Sequence, residues 1–189
     1  MKIHVLHGVH VSEGDHGVDR LIPYLAKVGC EVVYHEYGYA LALTARFLNK
    51  GRAERIAPLI SKGDVCLGHS NGCTIVWMMA DMGVPMQGCV LINPALDSDK
   101  QFAPQVHWVH VYYNEGDVVV PWSKVLFAHP WGNMGEVGYD GPTDHRVLNF
   151  NCYDPMVKLP RVDGHSDLFM PDKIVRWGNY IAKNVKEEL

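Results

Sequence analysis

Val65-Cys66-Leu67-Gly68-His69-Ser70-Asn71-Gly72-Cys73-Thr74-Ile75-Val76-Trp77-Met78-Met79-Ala80 contains a short apolar run, a glycine-bounded pentapeptide and a long apolar segment. It predicts a strand, a tight turn and a helix. At the turn, Gly68-His69-Ser70-Asn71-Gly72 is a G-x-S-x-G pattern. A serine held there sits on a strained backbone with its hydroxyl clear of the sheet, and small residues on both sides let strand and helix approach.

Working outward, apolar runs recur at Lys2–Leu6, Glu31–His35, Gly88–Ile92, Val106–Tyr113 and Val147–Tyr153. They alternate with segments of helical spacing. Val18, Leu21, Ile22, Leu25 and Val28 predict one helix ended by Gly29, and the stretch 37–61 predicts one helix or two, interrupted at Asn49-Lys50-Gly51. Pro121–His129 reads as a short helix, 131–146 as an irregular loop, and Ile174, Trp177, Ile181 and Val185 as the apolar stripe of a C-terminal helix starting near Pro171. The central runs are continuously apolar rather than alternating, as in a parallel sheet covered on both faces. The expected fold is therefore α/β, a three-layer sandwich with a mostly parallel sheet and helices on both faces, in one domain spanning residues 1–189.

Composition excludes several function classes. The 189 residues are 48% hydrophobic, and 17 basic against 21 acidic residues leave a net charge of -4. That balance offers no footprint for nucleic acid or an anionic surface. No apolar run approaches a membrane span, and no leader-like segment opens the chain. Five cysteines lacking C-x-x-C spacing read as buried free thiols, so the expected location is the cytoplasm. Eleven histidines include no H-E-x-x-H, and His107 and His110, three apart in a predicted strand, point to opposite faces; no metal is expected.

Serine is a weak nucleophile until a general base takes its proton and a third group orients that base. Reacting groups in an open parallel sheet gather beyond the carboxyl ends of its strands. Ser70, Asp117 in Asn114-Glu115-Gly116-Asp117, and His165 in Gly164-His165 each follow a predicted strand, in the order Ser, Asp, His. Asp97, Asp99, Asp140 and Asp144 are alternative acids, and His145 is an alternative base.

With Gly116-Asp117-Val118-Val119-Val120-Pro121 and Gly164-His165 beside the serine turn, the chain resembles the α/β-hydrolase superfamily over almost its whole length, in a minimal form without a cap domain. The resemblance implies Ser70 as nucleophile, His165 as base and Asp117 as orienting acid, with an acyl-enzyme and no cofactor. The backbone N–H of Asn71 is one expected oxyanion donor, and the resemblance places the second at Val9, in a turn braced by His7. His7, His69, Trp131, Met134 and Tyr139 are the candidate pocket residues. The implied substrate is a small carboxylic ester. Thioester or peptide cleavage, a non-hydrolytic lyase and a binding protein on the same fold are the alternatives; the oligomeric state, a homodimer included, stays open.

Overall fold

In a computed structural model, which describes residues 1–8, 17–38, 42–117, 119, 132–154, 156 and 158–189, six strands form one parallel sheet. They are β1 (Lys2–Leu6), β2 (Glu31–His35), β3 (Val65–His69), β4 (Gly88–Ile92), β5 (Trp108–Tyr113) and β6 (Val147–Asn151). Their order across the sheet is β2-β1-β3-β4-β5-β6. The chain first steps outward from β1 to β2, then crosses back to lay β3 on the other side of β1. The carboxyl ends of β1 and β3 therefore flank a topological switch point, where parallel sheets open a crevice.

Every residue of β3 and of β4 is buried, which is why neither run alternates. On one face Ile3, Val5, Leu67 and Val90 pack under α1 (Ile22–Lys27) and the C-terminal α5 (Pro171–Glu187), which contributes Trp177, Ile181 and Val185. On the other, Leu6, Cys66, Leu91 and Val111 meet α2 (Ala42–Ile56) and α3 (Asn71–Asp81), through Ala53, Ile56, Ile75, Val76 and Met79. The result is the expected three-layer sandwich with helices on both faces of the sheet.

Several local expectations change. The first helix is a 3-10 turn, Val18–Leu21, before α1 begins at Ile22; Pro23 has no N–H to give to a preceding turn and so fits the first turn of α1. The stretch 37–61 holds one continuous helix, α2, running through Asn49-Lys50-Gly51 and followed by a 3-10 turn at Ala57–Leu59, where Pro58 falls. Within the expected loop, Met134–Val137 forms a single helical turn, α4. It is held by Met134 N–H to Leu96 O (2.9 Å), Gly135 N–H to Pro94 O (3.0 Å) and Asn114 N–H to Gly135 O (2.9 Å). The fifth strand starts at Trp108 rather than Val106, leaving His107 outside it. The sixth ends at Asn151, two residues short of Tyr153. The helix expected at 121–129 lies outside the described residues.

Candidate active site

One residue separates β3 from α3, and it is Ser70, at φ 55° and ψ -122°. A non-glycine residue in that region costs roughly 1–3 kcal/mol and persists only where its surroundings over-determine it. Here the Ser70 N–H donates to Ile92 O at 3.0 Å, and Ser70 O accepts from the N–H groups of Cys73 (3.0 Å) and Ala95 (3.2 Å). The flanking glycines permit the close approach. A Cβ on Gly68 would fall 2.6 Å from the Cys73 nitrogen, and one on Gly72 would meet the carbonyl oxygens of Leu6 and His7.

The turn after β1 covers the serine: a Cβ at Gly8 would stand 3.1 Å from Ser70 Cβ and 3.5 Å from its Oγ. Asn71 opens α3, so its N–H has no intrahelical acceptor. Val9 lies outside the described residues. His7 is buried; its Nδ1–H donates to Gly8 O at 2.7 Å, its ring stacks on Tyr37 at 4.0 Å, and the Tyr37 hydroxyl donates to His7 O.

Asp117 and His165 meet at the same edge of the sheet. His165 Nδ1 lies 2.6 Å from Asp117 Oδ2, with the carboxylate side chain fully buried and the imidazole 12% exposed. A nitrogen facing a carboxylate carries the proton, which leaves Nε2 of the neutral ring as a base. The second carboxylate oxygen accepts the Val119 N–H at 3.1 Å. Among the described residues this aspartate contact is the side-chain hydrogen bond of His165; Ser70 Oγ is not bonded to it. Of the alternative acids, Asp144 is held by Arg146 at 2.6 Å, and Asp97 faces Lys100 at 3.9 Å.

His69 is buried beneath this pair. Its Nε2–H donates to His165 O at 3.2 Å, its ring meets Phe169 edge-on at 4.8 Å, and its Nδ1 has no partner among the described residues. Burial, helped by the nearby His165, lowers its pKa to about 3, so the ring is neutral. Met134 is fully buried among Leu96, Phe102 and Val111. Tyr139 packs beside Phe102, its N–H donates to Asn149 Oδ1, and its hydroxyl donates to Pro142 O. Trp131 lies outside the described residues.

Three asparagines without a sequence motif also bear on the site. Asn49 of α2 pairs with Asn71, Asn93 Nδ2 donates to His165 O at 2.5 Å, and Asn114 Nδ2 donates to Gly164 O at 3.3 Å. The available signal was positional: Asn93 and Asn114 each directly follow a strand, as Ser70 does. Among the described residues no group of three histidine, cysteine or acidic side chains could hold a metal, and no helix is long and apolar enough to cross a membrane.

The sequence matches no protein-family model and no curated protein. Solved structures do match. Mouse α/β hydrolase domain-containing protein 10 superposes with a TM-score of 0.64 at 10% identity, over 98% of this chain and 90% of that one. A monoacylglycerol lipase from Paleococcus ferrophilus gives 0.60 at 13% identity, over 98% and 92%. An extracellular α/β-hydrolase from a Paenibacillus species gives 0.58 at 12% identity, over 100% and 98%. With its six parallel strands, two helical layers and no cap domain among the described residues, the chain has the fold of the α/β-hydrolase superfamily.

Proposed function

We propose that the protein is a serine hydrolase that cleaves small carboxylic esters through an acyl-enzyme. The observation that carries this reading is the 2.6 Å contact between His165 Nδ1 and the buried Asp117 carboxylate, at the sheet edge where Ser70 occupies its left-handed turn. His69 and Asn93 flank that edge and both bond to the His165 carbonyl, which ties the base loop to the residue before the serine and to the end of the neighbouring strand.

In the first half-reaction Ser70 Oγ attacks the ester carbonyl carbon while its proton passes to His165 Nε2. The resulting oxyanion is met by the Asn71 N–H and by a second donor from the turn after β1, assigned to Val9; one such donor is worth about 3–4 kcal/mol in the transition state. Collapse breaks the carbon–oxygen bond to the alcohol, which leaves with the proton from His165. Water then attacks the acyl-serine, giving its proton to His165, and the acid departs as Ser70 regains a proton. Asp117 stabilises the imidazolium formed in both halves. These steps use the chain's own groups and call on no cofactor. The five cysteines, all free and buried, suit a reducing compartment such as the cytoplasm.

The test is intact mass after exposure to a fluorophosphonate, for wild type, Ser70→Ala and Asp117→Asn, with a panel of p-nitrophenyl esters of increasing acyl length. Wild type gains one adduct, Ser70→Ala none, and Asp117→Asn loses up to about four orders of magnitude in turnover because its amide favours the wrong imidazole tautomer. A folded wild-type protein that takes no adduct overturns the proposal and favours a binding protein. An adduct without ester cleavage favours a lyase.

A further inference from the structure

The loop that carries His165 is held from the sheet by three side chains, each from the carboxyl end of a different strand. His69 closes β3, and its Nε2–H reaches His165 O at 3.2 Å; Asn93 follows β4, and its amide reaches the same oxygen at 2.5 Å. Asn114 follows β5 and donates to Gly164 O at 3.3 Å. All three residues are buried, Asn93 at 1% exposure and Asn114 at 0%.

Asn114 works in two directions. Its Oδ1 accepts the Gly116 N–H at 2.9 Å, and its carbonyl accepts the Asp117 N–H at 2.8 Å. One side chain thus shapes the acid turn while gripping the base loop. The two loops also lie in direct contact, since a Cβ on Gly116 would fall 2.6 Å from Asp163 O. Asn93 has its own conformational signature: it adopts φ 43°, a left-handed backbone that asparagine tolerates better than most residues. Its N–H goes to Tyr112 O at 2.8 Å, which frees the side-chain amide to point across the sheet edge.

We propose that Asn93 and Asn114 are positioning residues that set the His165 loop against Asp117, an inference that rests on the serine-hydrolase reading for its kinetic consequence but not for its geometry. Neither touches the reacting atoms. Each donates to a loop carbonyl, so that the imidazole is held from its own backbone while its Nδ1–H meets the carboxylate. Freed from these bonds, the loop moves the base relative to both Asp117 and Ser70, and a shift of about 1 Å is enough to cost about a hundredfold in rate.

The clean deletion is Asn93→Gly, because glycine keeps the left-handed backbone while removing the amide. Asn93→Asp is the isosteric companion: it retains side-chain volume and turn preference but sets an acceptor against the His165 carbonyl. Three readouts apply to wild type and both variants, with circular dichroism as the check on folding: steady-state hydrolysis of p-nitrophenyl acetate, the rate of fluorophosphonate labelling, and the far-downfield proton resonance of the His165–Asp117 hydrogen bond. Both variants are expected to lose about ten- to a hundredfold in kcat and in labelling rate, with KM within about twofold of wild type, and to broaden or lose the downfield resonance. A folded Asn93→Gly or Asn93→Asp protein that keeps both the wild-type labelling rate and the resonance overturns the inference. If wild type resists the phosphonate yet shows a downfield resonance that Asn93→Gly loses, the hydrolase reading fails and the positioning role stands.

Discussion

Asn49 and Asn71 close a reciprocal amide pair between α2 and the first residue of α3. Asn49 Nδ2 donates to Asn71 Oδ1 at 2.7 Å, and Asn71 Nδ2 returns a bond to Asn49 Oδ1 at 3.0 Å, with both residues at 1% exposure or less. Asn71 is also the residue whose main-chain N–H is proposed as an oxyanion donor. The helix that buries one face of the sheet thereby also fixes the N-terminus of the helix behind the serine. Removing one partner leaves a buried amide unsatisfied, which costs about 1–3 kcal/mol. Asn49→Ala is therefore expected to lose about that much in urea unfolding. It should also slow fluorophosphonate labelling, through the loosened Asn71; a variant that loses stability but labels at the wild-type rate would confine the pair to a structural role.

Ser70 sits in backbone space suited to glycine, so chemistry and stability pull in opposite directions at this position. Ser70→Gly releases about 1–3 kcal/mol of strain and returns about 0.5–1 kcal/mol in chain entropy. The variant should be more stable than wild type by about 1 kcal/mol while taking no adduct. Ser70→Ala keeps the strain and should unfold close to wild type. Equal stability of the glycine and alanine variants would show that the turn is not strained.

Cys73 lies three residues past Ser70, and a thiol is a better nucleophile than a hydroxyl, so its inertness is a point to test. It is fully buried, its Sγ faces Ile92 O at 3.6 Å, and burial pushes its thiol well above the ordinary range. Cys89 is raised by burial to about 12, and Cys66 is raised as well. Thiolate is the reactive form, so these groups should stay silent at neutral pH. Native protein is expected to titrate no thiol with a chromogenic disulfide, and to label with phosphonate normally after iodoacetamide. Loss of phosphonate labelling after alkylation would shift the nucleophile from serine to cysteine.

The layered sheet and the meeting of Asp117 with His165 were legible because each left a local signal: continuous apolar runs for buried parallel strands, and polar residues at strand ends. The asparagines that hold the site left only a weak one, the place of Asn93 and Asn114 directly after a strand. A lone asparagine looks the same whether it caps a turn, faces water or donates across the sheet edge, and only the three-dimensional meeting of Asn93 with His165 separates these roles. The α4 turn was hidden for a related reason: its four residues, Met134–Val137, are ordered by main-chain bonds to Pro94, Leu96 and Asn114, which leave no periodicity behind.

The chain also carries a buried polar relay apart from the site, and it dictates how stability responds to acid. His4 Nε2 faces Asp64 Oδ2 at 3.3 Å and so carries its proton there, leaving Nδ1 to accept from His35 Nε2–H at 2.8 Å. Burial lowers the pKa of His35 to about 4, with His4 beside it adding to the effect, and burial also lowers that of His4. Burial alone would raise Asp64, but hydrogen bonds from Ser61 N–H, His4 and Lys2 N–H outweigh it and hold the carboxyl below its usual range. Between pH ~6.5 and the lowered native values, the unfolded chain binds protons that the folded chain refuses. Stability from the histidines is thus fully present above ~6.5 and is lost as pH falls toward about 4, each histidine contributing a slope of up to ~1.4 kcal/mol per pH unit. Below that, protonation of Asp64 removes more. Urea unfolding across this range should show a steep monotonic fall, and His35→Gln, which still donates to His4 but does not titrate, should flatten it by about one proton's worth. An unchanged slope in that variant would place the acid sensitivity in other buried histidines, with His69, lowered to about 3 by burial, as the next to substitute.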